Sequence, residues 1–238
     1  MSEEILINVT PRETRVALVE NGMLQEVHVE RASRRGYVGN IYKGKVSRVM
    51  PGMQAAFVEI GLDRAAFLHA SDIVRPHATL TGENGDAAPA PPPPINELIR
   101  DGQEIVVQVV KDPIGSKGAR LTTHLSIPSR YLVLLPYSKV LGVSVRIEDD
   151  VERARLKELL GELTASDVPA AAPAARTRGY IVRTNAEGQP RESLAEDIDY
   201  LGKLWTNITE GMARARVGER IYEDLSLPLR ALRDLMRP

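Results

Sequence analysis

Between Tyr37 and Leu125 the chain divides into five short runs, GNIYKGKVSRVM, QAAFVEIG, RAAFLHA, EIVVQVVKD and GARLTTHLS, each with a β pattern and each bounded by Gly, Pro or Asp turns. Five short strands in succession predict a small β-barrel. The runs ahead of it, ILINV, TRVALVE and LQEVHVE, predict a three-stranded meander whose Glu20-Asn21-Gly22 turn tolerates positive φ. Between the third and fourth barrel strands, residues 75–96 contain TGENGDAAPAPPPP, which is too poor in large apolar residues to pack. A flexible surface insertion is expected there, not a domain boundary.

After Ser126 the pattern turns to mixed α and β. It opens with the apolar run YLVLLP and continues to a helix expected over Val151 to Leu163, where LKELLGEL carries an apolar stripe. Ala165 to Ala175, with Pro169 and Pro173, reads as a loop leading into a strand, Gly179 to Thr184. Leu194, Ile198, Leu201, Leu204 and Ile208 recur at helical spacing and predict a long helix from about Arg191 to Ala215. RIYEDLS and LPLRALRDLMRP then predict one strand and one helix. The fold class expected is α+β.

Composition narrows the functions available. With 238 residues, 43% of them hydrophobic, the chain can bury a real core and should form two or three compact units. It has no cysteine, so neither a disulfide framework nor a thiolate metal site is open to it. No apolar run approaches the roughly 20 residues needed to span a bilayer, and MSEEILINV lacks the features of a signal peptide, so a cytoplasmic, membrane-free protein is expected. Lys plus Arg number 31 against 32 Asp plus Glu, so any nucleic-acid site must be a local patch.

A five-stranded barrel of this type binds oligonucleotides across its second and third strands, with aromatics to stack on bases and cations to follow phosphates. Aromatics are only 4% of the chain, yet Phe57 and Phe67 fall on those two strands, with Lys43, Lys45 and Arg64 nearby. Alternation alone supports equally a role for both Phe in the barrel core. Arg183-Thr184 offers a planar fork of donors and a hydroxyl at a strand end, suited to an anion, although most such pairs are solvated surface. Metal-dependent phosphodiester cleavage needs converging carboxylates. Asp149 with Asp150 precede a helix, and Glu196, Asp197 and Asp199 read as a solvated helical face, so neither group is expected to be catalytic. His28, His69, His77 and His124 fall in separate strands or loops and read as ordinary surface or core residues.

The block Gly39 to Ile73 resembles the S1-type OB-fold RNA-binding domain, and NIYKGKVSRV with AAFVEIGLDRAAFL resembles the version embedded in the ribonuclease E/G family. Similarity continues through ILINVTPRETRVALVENG, KGARLTTHLSIPSRYLVLLP and GYIVRTN, covering essentially all but the two Ala/Pro-rich stretches. The start of the chain looks closer to the G branch of that family. The resemblance implies a ribonuclease H-like subdomain split between residues 1–36 and 217–238, an S1 barrel at 37–125 and a 5′-sensor region at 126–216. It implies that Phe57 and Phe67 face RNA, with Lys111 and Lys117 as further electrostatic contacts. It also implies that Arg183 and Thr184 hold the 5′-monophosphate of single-stranded RNA while Val133 touches the terminal nucleotide. Ser129 stands where the family has a Gly near the phosphate, and Val145 precedes Arg146 where relatives often carry two successive Arg, which would make the pocket less basic. Active ribonuclease H folds have a metal-binding Asp in the first strand, where this chain has Asn8, so that subdomain is expected to be catalytically empty. The family's catalytic acids lie in a following DNase I-like domain, and its zinc-link cysteines beyond that. Neither is in this sequence, which is therefore expected to bind RNA without hydrolysing it and to need no cofactor of its own. The full-length protein implied is a Mg²⁺-assisted, homo-oligomeric endoribonuclease acting on rRNA precursors and mRNA. The alternatives are a non-catalytic RNA-binding adaptor and, more remotely, an OB-fold module for protein or oligosaccharide.

Overall fold

The structure, a computed structural model, describes residues 2–74, 93–166 and 178–236. Strands β1 (Glu3–Val9), β2 (Glu13–Glu20) and β3 (Met23–Arg31) form the antiparallel meander. Asn21 and Gly22 take positive φ, 49° and 76°, the turn geometry whose twist suits a two-residue hairpin. Val16 and Leu18 alternate onto one face and are buried. Val16 is covered by a helix from the far end of the chain, Leu227–Leu235, through Leu227 and Ala231, with Ile5 and Leu235 alongside. Glu30 and Arg230 clasp the two segments with a 3.0 Å ion pair.

The five expected strands close into a barrel. They are β4 (Ile41–Met50), β5 (Ala55–Glu59), β6 (Ala66–His69), β7 (Glu104–Lys111) and β8 (Arg120–Thr122). Neighbours run β4-β5-β6-β8-β7, and β7 pairs back onto β4. Only β6 and β8 are parallel. Tyr42, Val46, Ala56, Val58, Leu68, Val107 and Leu121 fill the interior because each sits on the inward side of its pleat. Residues 75–92 of the expected insertion lie outside the described residues. Its last residues are described, and they are not loose: Ile95 opens a short helical turn, α1 (Ile95–Leu98), and is fully buried in the barrel core. Its backbone N–H donates to Gln54 Oε1 at 3.0 Å.

The third unit is a four-stranded sheet, β9 (Ile127–Pro128), β10 (Leu132–Leu135), β11 (Leu141–Val143) and β12 (Gly179–Val182), in the order β11-β12-β10-β9. Leu132, Leu134, Tyr180 and Val182 are buried against helices α2 (Asp150–Ser166) and α3 (Arg191–Arg214) through Leu156, Leu160, Leu194 and Leu201. Helix α2 runs past Leu163 into the start of the Ala-rich segment expected to be a loop, whose residues 167–175 lie outside the described residues. A last short strand, β13 (Arg220–Tyr222), pairs with β4, and the covering helix of the meander is α4 (Leu227–Leu235). The junction between barrel and tail is tight. Gly218 N–H donates to the Lys43 carbonyl at 2.7 Å and Lys43 N–H to the Glu219 carbonyl at 3.0 Å. Gly61 and Gly218 meet there with φ of 81° and 87°, and a Cβ on Gly61 would overlap the Gly218 carbonyl. Among the described residues, no helix is long and apolar enough to cross a membrane.

Candidate nucleic-acid interface

Strand register assembles one transverse row on the outside of the barrel. Arg48 on β4 pairs with Phe57 on β5, Phe57 with Phe67 on β6, Phe67 with Arg120 on β8, and Arg120 with Lys111 on β7. Directly paired residues project to the same side of a sheet, so the row reads cation, aromatic, aromatic, cation, cation. Phe57 and Phe67 are both half-buried, while their neighbours Ala56, Val58, Ala66 and Leu68 point inward, so the two rings are outside the barrel core. The rings meet edge to face, centroids 6.3 Å apart at 72°. His69, next on the same side of β6, extends this ledge at 6.5 Å from Phe67. Arg120 is held by Asp72 through Nε and Nη2 at 3.1 and 3.0 Å, which limits its motion.

The other barrel cations anticipated from sequence are dispersed. Lys43 is tied to Glu104 at 3.1 Å, and Lys45 lies in register between Glu59 and Glu104. Lys43 and Lys45 sit three to five residues down β4 from Arg48, roughly 10–17 Å away at strand rise. Arg64 donates to the Gly115 carbonyl, and Lys117 is exposed beside it in the connection between β7 and β8. Only Lys111 of the anticipated lysines stands in the aromatic row. The sequence reading missed Arg48, Arg120 and His69.

The second cluster surrounds Arg183, where β12 ends beside the turn joining β9 to β10. Backbone pairing brings it there: Leu132 and Val182 are partners, and Arg183 N–H donates to the Tyr131 carbonyl at 2.8 Å. Its Nη1 donates to the Ser129 carbonyl at 2.6 Å and to Asp234 Oδ1 of α4 at 2.7 Å. Thr184 follows, half-buried, with its hydroxyl unpartnered among the described residues, at the start of a 3₁₀ turn, Thr184–Ala186. Val133 pairs with Ile181 and Pro128 on the face of the sheet turned away from the helices. Arg146 is exposed on the turn after β11, and Val145 beside it is 85% exposed.

Ser129 takes a different place from the other four. It is only 3% exposed, and its hydroxyl donates to the Asp197 carboxylate and to the Leu132 carbonyl at 2.9 Å. Asp197 also accepts from the backbone N–H groups of Tyr131 and Leu132, both at 2.9 Å. The expectation that Asp197 lies on a solvated face of α3 is therefore corrected. It stands three residues after buried Leu194 and four before buried Leu201, inside the apolar stripe, and knits the 129–132 turn to the helix. Burial pushes its pKa up, and the hydrogen bonds from Ser129, Tyr131, Leu132 and Arg130 offset only part of that rise. Asp199 pairs with Lys203 at 2.6 Å on the exposed side. No group of three or more His, Cys, Asp or Glu able to hold a metal occurs among the described residues.

The chain is similar to known proteins over nearly its whole length. Residues 37–112 match the S1 RNA binding domain, and residues 126–238 match the Ribonuclease E/G family. Ribonuclease G of Salmonella typhimurium and that of Escherichia coli K12 are each 51% identical to the chain over 234 residues, covering 98% of this chain and 45% of theirs. Ribonuclease E of Escherichia coli K12 is 35% identical over 237 residues, covering 99% of this chain and 21% of its own length. The chain thus spans less than half the length of the ribonuclease G relatives it matches. With an S1 barrel displaying cations and aromatics in one row, followed by the family's matched region around Arg183, the chain belongs to the ribonuclease E/G family.

Proposed function

We propose that this chain is the RNA-binding, 5′-monophosphate-sensing part of a single-strand-specific endoribonuclease. The observation that carries this reading is the row Arg48-Phe57-Phe67-Arg120-Lys111. Bases of an unpaired strand stack on the two Phe rings, each worth about 1–3 kcal/mol, while the flanking cations face phosphates. Stacking is indifferent to base identity, so the barrel grips single strands with little sequence preference.

Arg183 and Thr184 supply the second contact. A terminal monophosphate carries more charge and more free oxygens than an internal diester, and a guanidinium edge plus a hydroxyl matches it. Val133 then meets the terminal nucleotide, and Arg146 adds positive charge from the neighbouring turn. Anchoring a processed 5′ end in this way selects RNAs already cut once and positions a downstream stretch for hydrolysis. Hydrolysis itself, with Mg²⁺, is assigned to the portion of the relatives beyond the matched length. In that full-length setting the protein is a homo-oligomer acting on rRNA precursors and mRNA in the cytoplasm. Residues 1–36 and 217–238 form its ribonuclease H-like subdomain, 37–125 its barrel and 126–216 its sensor, and the 238-residue chain alone binds without cutting.

Fluorescence anisotropy with short single-stranded RNA carrying a 5′-monophosphate or a 5′-hydroxyl tests this. The expected result is tighter binding of the monophosphate RNA, lost in Arg183→Ala, with Phe57→Ala weakening both RNAs. Equal binding of the two RNAs by the unsubstituted chain would remove the sensor assignment; no binding of either would remove the barrel assignment as well.

A further inference from the structure

We propose that Asp234 is a positioning residue for Arg183, fixing the guanidinium so that its Nε–Nη2 edge faces an RNA 5′-phosphate; this rests on the 5′-phosphate reading of Arg183. The hydrogen bonds of that side chain are lopsided. Nη1 is satisfied by the Ser129 carbonyl at 2.6 Å and Asp234 Oδ1 at 2.7 Å, with the Arg130 carbonyl at 3.4 Å. Nε and Nη2 donate to no described residue. Those two nitrogens form the fork that grips two oxygens of one anion.

Asp234 is itself immobilised and electrically matched. Arg233 donates to both its oxygens, Nε to Oδ1 and Nη2 to Oδ2, each at 2.9 Å. Its backbone carbonyl accepts from Asn185 Nδ2 at 3.0 Å, and Arg130 Nη2 donates to the Met236 carbonyl at 2.7 Å, so the end of α4 is fastened to the sensor turn. Arg233, which also faces Asp224 at 3.7 Å, shares the charge of Asp234 with Arg183. Removing Asp234 leaves Nη1 only the Ser129 carbonyl and the more distant Arg130 carbonyl, and the guanidinium regains torsional freedom that phosphate binding must then quench.

The test uses the 238-residue chain and the same two RNAs, with Asp234→Ala, Asp234→Asn and Arg183→Ala. Asn keeps an oxygen that can accept from Nη1. Asp234→Ala should reduce the monophosphate preference about tenfold, the worth of one hydrogen bond to a charged group, while hydroxyl-RNA affinity stays unchanged. Asp234→Asn should restore most of the preference. A preference undiminished in Asp234→Ala overturns the proposal, as does a preference that rises in both variants, which would mark the carboxylate as a competitor of phosphate. If the unsubstituted chain shows no preference, or Arg183→Ala retains it, the 5′-phosphate reading falls first and this inference with it. Should Asp234→Ala also lose hydroxyl-RNA binding, Asp234→Ser, too short to reach Arg183 yet polar at a helix end, decides by the same criteria.

Discussion

The barrel row and the turn around Arg183 hold the same kinds of residue in opposite ways. On the barrel, Phe57, Phe67 and Arg48 are displayed by strand register, and their side chains remain partly open to solvent. Around Arg183 the side chains are held by a carbonyl, two carboxylates and a second guanidinium drawn from separate elements. A displayed surface tolerates many sequences, because stacking and diffuse charge ask little of geometry. A tethered donor instead selects one chemical group, because its orientation has been fixed before the ligand arrives.

The largest effect that separates the two should come from Asp197→Ala. It would orphan the backbone donors of Tyr131 and Leu132 and should cost about 3 kcal/mol of stability in denaturant unfolding, whereas Phe57→Ala should cost far less. Equal stability losses would mean the sensor turn is not held more tightly than the barrel row. Next comes binding: Phe57→Ala or Phe67→Ala should weaken both RNAs about tenfold, the worth of one lost stack, leaving the monophosphate preference intact. A change in that preference would show the two sites to be coupled. Arg48→Ala and Arg120→Ala should each flatten the salt dependence of binding by about 0.7 in log–log slope, equally for both RNAs. An unaltered slope for Arg48→Ala would remove it from the phosphate path.

The smallest effect is on acid stability, where Asp234 and Asp197 act with opposite sign. Arg233 and Arg183 hold Asp234 below its ordinary 3.8 despite the opposing effect of burial, so its contribution is present above 3.8 and is lost as pH falls through the lowered folded value. Burial raises Asp197, so the folded state holds its proton longer and stability declines as pH rises from 3.8 through the raised folded value. Unfolding of Asp197→Asn, followed across that range, should lack the decline. Persistence of the decline would assign it to another group.

Much of the fold is legible in the sequence because hydrophobic period and turn residues agree. The five barrel runs, the Asn21-Gly22 turn and the stripe of α3 are of this kind. Arg48 is not legible, and the reason is geometric. Lys43, Lys45 and Ser47 alternate outward on β4, which would send Arg48 inward, but a register shift between Val46 and Arg48 returns it to the outer face opposite Phe57. A similar shift between Val109 and Lys111 aligns Lys111 with Arg120. In the second cluster, the Arg183-Thr184 pair stands out at a strand end, whereas Asp234 is 51 residues further along and nothing local marks it as a partner. Asp197 did carry a signal: an acid inside an apolar helical stripe is a buried acid in want of donors. Strands β9 and β11 are too short for any period to register.

The clasp between Glu30 and Arg230 joins residues 200 positions apart, and this sets a timetable for the chain as it is made. At about 5–20 residues per second, roughly 10–40 s separate synthesis of the meander from synthesis of α4. The five strands that close the barrel all lie between Ile41 and Thr122, so they have one another as partners long before then, with only β13 to follow. Val16 and the apolar face around it do not, so that face of the meander stays uncovered until α4 has been made.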